Sequence, residues 1–326
     1  MTTEVFMILS IIVLCWVVLL AADAAICGIL NLIVGISFRK AFLWGCISLV
    51  LPPAVIAYGG LVERNTVQVN QVEIPFEGLP ESFEEYRIAH ISDIHARSFE
   101  GREKILHEVV EKINALNPDM VAFSGDLITM LPEELDGISG ILSGIKAVDG
   151  VFSVLGNHDY CMYSDMPAEE KEAAHKKLIA IQKEMGWALM VNENRTIRRG
   201  DDSIAVVGVE NTSTSRHFPS RGDLTEASDG TEGMFRILLS HDPLHWESEV
   251  LERGFPLTLS GHTHAMQFSF LGWSPSRYLF PQYRGLYKKS DQYLYVNTGI
   301  GETMFPIRIG VRPEITLIIL KSPGHG

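Results

Sequence analysis

The chain has 326 residues, 46% of them hydrophobic, and a formal net charge of −13 from 40 acidic and 27 basic side chains. This balance excludes a disordered chain, a collagen-like chain and a disulfide-stapled miniprotein, and argues against a nucleic-acid binder that works by neutralising phosphates. The charge is unevenly placed: residues 1–60 hold only Glu4, Asp23, Arg39 and Lys40, which cancel, so the whole −13 lies beyond them.

Val5 to Ala22 is almost unbroken apolar sequence, and Ala24 to Ile36 continues it past Asp23. Phe38-Arg39-Lys40 interrupts, and Ala41 to Gly60 is apolar again with Pro52-Pro53 inside. About 20 apolar residues cross a bilayer as a helix, so Ala41–Gly60 fits one span. The first stretch exceeds one span. It reads as a tilted or kinked helix running on along the interface, or as two tight spans; the former is favoured because Asp23 alone offers no turn. Residues 1–60 are therefore expected to be a membrane anchor of two transmembrane helices. A cleavable signal fits poorly, because the only basic residues follow the first apolar run. The positive-inside rule puts Arg39 and Lys40 in the cytoplasm, which leads the following domain outside, into the periplasm where a second membrane exists. Cys15, Cys27 and Cys46 lie in the apolar part and Cys161 stands alone, so the polar domain has neither an internal disulfide nor a CxxC metal site.

Residues 61–84 read as a linker and a first strand, with alternation from Thr66 to Ile74. Short apolar runs then end in polar or glycine-containing turns at Arg87–Ser92, Met120–Ser124 and Val151–Leu155. Further strands are expected at Ile204–Val209, Phe235–Leu239, Leu257–Leu259, Tyr293–Val296 and Ile315–Leu320. Helices are expected at Glu103–Leu116, stopped by Asn117-Pro118, and at Ala168–Met185, opened by Asp165 and Pro167. Strands that alternate with helices early and dominate later suggest an α/β domain of two packed sheets flanked by helices, over residues 85–322.

Five motifs follow strand candidates: Asp93-Ile94-His95, Gly125-Asp126, Gly156-Asn157-His158-Asp159, His241-Asp242-Pro243 and Gly261-His262-Thr263-His264. Each ends in carboxylate, imidazole or amide, the oxygen and nitrogen donors suited to Mn, Fe or Zn, with no thiolate to demand a soft metal. Side chains at strand carboxyl ends converge on one edge of an α/β fold. Period-two alternation would point both members of Asp93-x-His95, and of His262-x-His264, to one side, so that each pair grips one centre. Taken singly, most motifs have plain explanations: a capping pair, a turn, a loop bonding its own backbone, a core histidine at His241. Five polar strand ends together are not needed for folding, and burying them unpaired is costly.

In its order D-x-H, G-D, G-N-H-D, H, G-H-x-H, the sequence over about residues 85–320 resembles the calcineurin-like metallophosphoesterases. It looks most like the membrane-associated bacterial branch that includes UDP-2,3-diacylglucosamine hydrolase-type enzymes and related phosphodiesterases. The resemblance implies a four-layer α/β/β/α sandwich behind the transmembrane helices, with two divalent metal ions (Mn, Fe or Zn). It implies that Asp93, His95 and His264 hold the first metal, that Asn157, His241 and His262 hold the second, and that Asp126 bridges them. His158 would protonate the leaving group or stabilise the transition state, and Asp159 would orient His158. A metal-activated hydroxide would then cleave a phosphodiester, pyrophosphate or phosphomonoester bond, and the anchor points to a lipid-linked or membrane-proximal phosphate substrate rather than nucleic acid. Phosphodiester cleavage of soluble nucleotides and a non-catalytic metal-binding membrane receptor or scaffold are the alternatives.

Many relatives continue the last motif as G-H-T-H-G-G-Q, whereas this chain has Ala265-Met266-Gln267; the ligands survive, but the adjoining wall is bulkier. Arg97 stands where relatives often carry glycine, and is either a phosphate contact or a solvated loop residue. The segment Phe268–Tyr287 carries seven aromatic rings with Arg277 and Arg284. It reads as rings pinned into the core, with Trp273 and Arg277 as exceptions that meet an interface or substrate. Arg216, in the polar stretch Thr212–Asp229, is a candidate head-group contact in what otherwise reads as a surface loop. Asn297-Thr298-Gly299-Ile300-Gly301 is either a phosphate cradle or a turn.

Overall fold

In the computed structural model, which describes residues 3–213 and 218–323, the apolar N-terminus forms a helical hairpin. Helix α1 (Thr3–Val34) runs unbroken past Asp23. This agrees with the favoured single helix rather than two tight spans, and Gly35, with φ of 72°, ends it. The return arm comprises α2 (Phe38–Gly45), a 3-10 turn (Cys46–Val50) and α3 (Leu51–Leu61). Pro52 and Pro53 open α3, where a missing N–H costs nothing, instead of kinking a single span. Both arms, Phe6–Val34 and Phe38–Asn65, are long and apolar enough to cross a membrane. Asp23 is accommodated between them: Ser48 Oγ donates to its carboxylate at 3.3 Å, and a Cβ on Gly45 would stand 2.7 Å from that carboxylate.

The polar part contains two six-stranded sheets. The first comprises β1 (Gln68–Pro75), β2 (Arg87–Ile91), β3 (Met120–Phe123), β4 (Val151–Ser153), β5 (Ala188–Leu189) and β12 (Glu314–Lys321), in the order β1-β12-β2-β3-β4-β5. The second comprises β6 (Glu193–Arg199), β7 (Asp202–Gly208), β8 (Phe235–Leu239), β9 (Leu257–Ser260), β10 (Gly285–Lys289) and β11 (Gln292–Val296), in the order β10-β11-β9-β8-β7-β6. Period-two alternation builds the layers. Ile88, Met120, Val206 and Ile237 face the core between the sheets. Their neighbours Ala89 and Val121 pack outward beneath α4 (Glu103–Ala115), α5 (Ser139–Leu142) and α6 (Ala168–Glu184), whereas Val207 and Leu238 pack with Leu224, Trp246 and Val250 on the other face. The result is the expected four-layer α/β/β/α sandwich.

Within segment 61–84 the expected first strand forms as β1, and the residues that flank it pack onto the domain. β1 pairs in parallel with β12, and Phe76 and Phe83 are buried in the core between the sheets. The hairpin is also fastened to the domain. Glu63 accepts from the Gly310 N–H at 2.9 Å, and Glu302, buried, takes Arg64 and Arg102 at 3.1 and 3.2 Å. Gly59 lets α3 lie against segment 307–309, since a Cβ there would sit 2.7 Å from the Arg308 carbonyl and 2.8 Å from Ile307 Cγ2. We expect Gly59→Leu to lower the stability of the detergent-solubilised protein by about 1–3 kcal/mol through overpacking, visible as a reduced melting temperature; an unchanged melt would show that this contact does not hold the hairpin.

Candidate metal centre

Five parallel strands deliver the motifs. β2, β3 and β4 of the first sheet end just before Asp93, Asp126 and Asn157, and β8 and β9 of the second end just before His241 and His262. The two carboxyl edges meet at one place. The geometry there is made by turns rather than by pleat. Asp93, His95, Asp126, His262 and His264 all have φ between 44° and 72°, a left-handed backbone that costs an ordinary residue roughly 1–3 kcal/mol and clusters at functional sites. For this reason the pairing argued from strand alternation fails for His262-x-His264, whose members face different groups. Close packing also explains the motif glycines: a Cβ on Gly156 would stand 2.2 Å from Asp126 Oδ1, and one on Gly261 would stand 2.3 Å from Asp93 Oδ2.

Two clusters result. In the first, Asp93 Oδ1 lies 3.2 Å from His264 Nε2 and 3.8 Å from His95 Nε2, and the two imidazole nitrogens are 3.2 Å apart. In the second, Asp126 Oδ2 lies 3.1 Å from His241 Nε2, which is 3.3 Å from His262 Nδ1. Asp126 Oδ2 also lies 3.8 Å from His95 Nε2, so this carboxylate joins the clusters. Donors bound at ~2.0–2.2 Å to one tetrahedral cation stand roughly 3–3.5 Å apart; the 3.1–3.3 Å contacts match this and the two 3.8 Å contacts of His95 lie slightly beyond it. Asn157 supplies an independent test. Its Nδ2 donates to Tyr163 Oη at 3.2 Å, whereas its buried Oδ1 has no hydrogen-bond partner. A buried amide oxygen left unpaired is costly, and a divalent cation satisfies it. The residues present fit two oxygen- and nitrogen-ligated metals.

The electrostatics agree. Burial opposes ionisation of Asp93, but His264 and His241 outweigh it and hold the carboxyl below its ordinary range. Burial likewise opposes ionisation of Asp126, and His241 and His158 prevail there. Burial and the neighbouring His158 keep His95 neutral well below its usual value, and burial with His241 lowers His262. Burial also disfavours charged His241, but Asp126 overrides it and pushes the imidazole up to about 10. Ionised carboxylates and neutral imidazoles are the forms that bind metal; His241 would give up a proton on doing so.

His158 sits beside both clusters. A carbonyl can only accept, so Nδ1–H donates to Thr129 O at 2.7 Å and Nε2 is left for the site. The ring stands edge-on to His95 (4.7 Å between centroids) and stacks on Tyr163 at 4.2 Å. Asp159 does not orient it. The Asp159 carboxylate accepts four backbone N–H bonds, from Asp126, Leu127, Ile128 and Gly156, at 2.8–3.2 Å. It builds the loops that carry Asp126 and His158, and the orienting group is the Thr129 carbonyl.

The remaining candidates are scattered. Arg97 is exposed and lines a cavity with Thr129. Trp273 and Arg277 lie on an exposed lip, and Arg216 lies outside the described residues. The lip rings are not core: Phe270, Trp273 and Tyr278 are exposed and the rest half-buried, because short 3-10 turns keep this segment on the surface. Its Phe280 reaches the site, edge-on to His262 at 5.3 Å. The glycine-rich segment at 297–301 is a turn rather than a cradle, since the N–H groups of Ile300 and Gly301 bind the Ser92 and Asp93 carbonyls. Sequence reasoning missed Thr129, which acts through its backbone and leaves no signal. It also missed Tyr163, five residues after His158. Arg308 was missed too: fully buried, it donates to the carbonyls of Thr298, Gly299 and Gly301 beneath His264.

Residues 86–266 match the family described as Calcineurin-like phosphoesterase. The chain is 34% identical over 302 residues to a transmembrane protein with metallophosphoesterase domain from Danio rerio, covering 88% of this chain and 64% of that protein. It is 30% identical over 296 residues to the protein of the same name from Bos taurus, covering 87% and 64%. It is 28% identical over 298 residues to the uncharacterized metallophosphoesterase YkuE of Bacillus subtilis (strain 168), covering 87% and 98%. It thus spans less than two thirds of the length of the two vertebrate relatives. With this match falling on the strands that carry both ligand clusters, the chain belongs to the calcineurin-like phosphoesterase family.

Proposed function

We propose that the protein is a membrane-anchored, two-metal phosphoesterase that hydrolyses a phosphodiester, pyrophosphate or phosphomonoester bond on a lipid-linked or membrane-proximal substrate. The observation that carries this reading is the pair of ligand clusters joined by Asp126, with His158 beside both. Asp93, His95 and His264 would hold one cation, Asn157, His241 and His262 the other, and Asp126 both. Such a pair supplies Lewis-acid activation of water and of the phosphoryl oxygens. The neutral amide of Asn157 and the neutral imidazoles leave the site net positive toward a phosphate despite the acidic domain. His158, fixed by Thr129 through Nδ1–H, would in its imidazolium form give the Nε2 proton to the departing oxygen and be left neutral. Asp159 keeps that loop in place from behind.

The two apolar arms support the anchor, and Arg39-Lys40 at the turn supports placing the domain outside the cytoplasm. That side fits an extracytoplasmic lipid phosphate or nucleotide better than a cytoplasmic UDP-sugar. Cys161 is fully buried and cannot report topology by labelling, whereas Val148, 78% exposed, offers a site for an introduced cysteine. The activity is tested with the detergent-purified protein, a chromogenic phosphodiester and Mn2+, Fe2+ or Zn2+. Turnover that needs added metal is expected; bound metal without turnover would favour the scaffold reading.

A further inference from the structure

An apolar cleft of about 700 Å3 lies between the hairpin and the domain. Its walls are α1, α3 and two loops of the domain that include Met266, Phe305, Ile307 and Ile309. It reaches back along α3 to Leu51, ten residues before Leu61 and so about 15 Å down the helix at ~1.5 Å per residue. In a bilayer that depth lies within the ~30 Å hydrocarbon layer.

Four observations connect this cleft to the metal centre. The loop that forms one wall begins at the presumed ligand His264, and Met266 is two residues on. Ala265 and Met266 have φ of 48° and 51°, a conformation that glycine adopts freely and other residues adopt at a cost of roughly 1–3 kcal/mol. A side chain kept there at that cost contributes through what it touches, and Met266 touches the cleft. Gln267 then ties this loop to the other wall by donating to the Phe305 and Ile307 carbonyls at 2.8 Å. Finally, Phe305 is shared with a polar cavity of about 530 Å3 that includes Arg97 and Thr129, the residue whose carbonyl holds His158. The Arg97 guanidinium rests on Met130 Sδ and has no carboxylate partner among the described residues. Apolar cleft and Arg97 cavity therefore share Phe305, and Thr129 links that cavity to His158 beside the metal centre.

We infer that the cleft holds the hydrocarbon chain of a long-chain phosphate ester whose polar head occupies the Arg97 cavity, a deepening that rests on the phosphoesterase reading above. The chain never leaves an apolar medium as the ester moves from bilayer to site, so selectivity falls to the head.

The test is photolabelling of the full-length, metal-loaded protein with a non-hydrolysable dodecyl phosphonate that carries a diazirine at its tail. Label is expected on the peptides containing Met266 and Val55. It should be displaced by unlabelled dodecyl phosphonate but not by dodecanol, and lost in Val55→Trp, which fills the cleft. Met266→Gly, which removes the wall and frees the backbone, is the second variant and should lose the displaceable label at Val55. Label spread evenly along both helices overturns the inference, as does label that dodecanol displaces equally well, since the cleft then takes ordinary bilayer chains. Hydrolysis of a short chromogenic ester by the same preparation reports separately on the phosphoesterase reading, so either can fail alone.

Discussion

Asp126→Ala is expected to lower turnover by roughly three orders of magnitude. This follows from losing several kcal/mol of transition-state charge stabilisation at about 1.4 kcal/mol per decade. Its carboxylate reaches both clusters, 3.1 Å from His241 and 3.8 Å from His95. It also accepts the His158 N–H at 2.8 Å. Asp126→Asn keeps that last acceptor and the side-chain volume but removes the charge, and so separates a misplaced loop from a lost ligand. Both variants should bind less than two equivalents of metal by elemental analysis. Because Asp126 belongs to none of the apolar cores, the domain should still melt cooperatively. Wild-type rates with full metal content in either variant would remove Asp126 from the centre.

His158→Ala is expected to cost about 10²–10⁴-fold when the leaving group is an alkoxide, and far less when it is a nitrophenolate, which departs without a proton. The asymmetry follows from the leaving group, since only an alkoxide needs a proton as it departs. Nδ1–H donates to Thr129 O, so Nε2 is the ring nitrogen left for the reaction, and it acts as the acid in the imidazolium form. Metal content should be unchanged, because His158 is outside the two presumed ligand sets. Equal losses with both leaving groups would assign His158 to charge stabilisation instead of proton transfer. A loss of metal would make it a ligand, in keeping with its place near His95 and Asp126.

The difference between these residues and their neighbours shows what a sequence can carry. Buried strands such as β8 were legible because both faces are apolar and both ends are punctuated. β6 was not: among its residues only Ile197 is buried, and its one partner is β7, so it has no apolar pattern to read. β10, an edge strand with two lysines, was lost for the same reason. The ligand set was legible because its side chains are of metal-binding type and follow strands whose ends had been located. How the set divides was not legible from pleat geometry, because the chain leaves the strands in left-handed turns. Asp159 looked like a partner for His158 by adjacency, yet four buried N–H groups claim its carboxylate. Trp273 and Arg277 stand out by aromaticity and charge and Arg97 by its place after the first motif, and none of these signals says whether a surface loop turns toward a site.

The fastening of the hairpin to the domain has a kinetic meaning. Glu302 clasps Arg64 from the helical arm and Arg102 from the domain, Glu63 holds the Gly310 N–H, and Gly59 lies against segment 307–309. Among the described residues, no free segment separates hairpin and domain. A bilayer that holds the hairpin would fix the height and tilt of the metal centre, so that encounter with substrate becomes a search in two dimensions. For the membrane-borne substrate proposed above, rates should then follow its mole fraction in the membrane, falling as inert lipid dilutes the surface even when the bulk concentration is held constant.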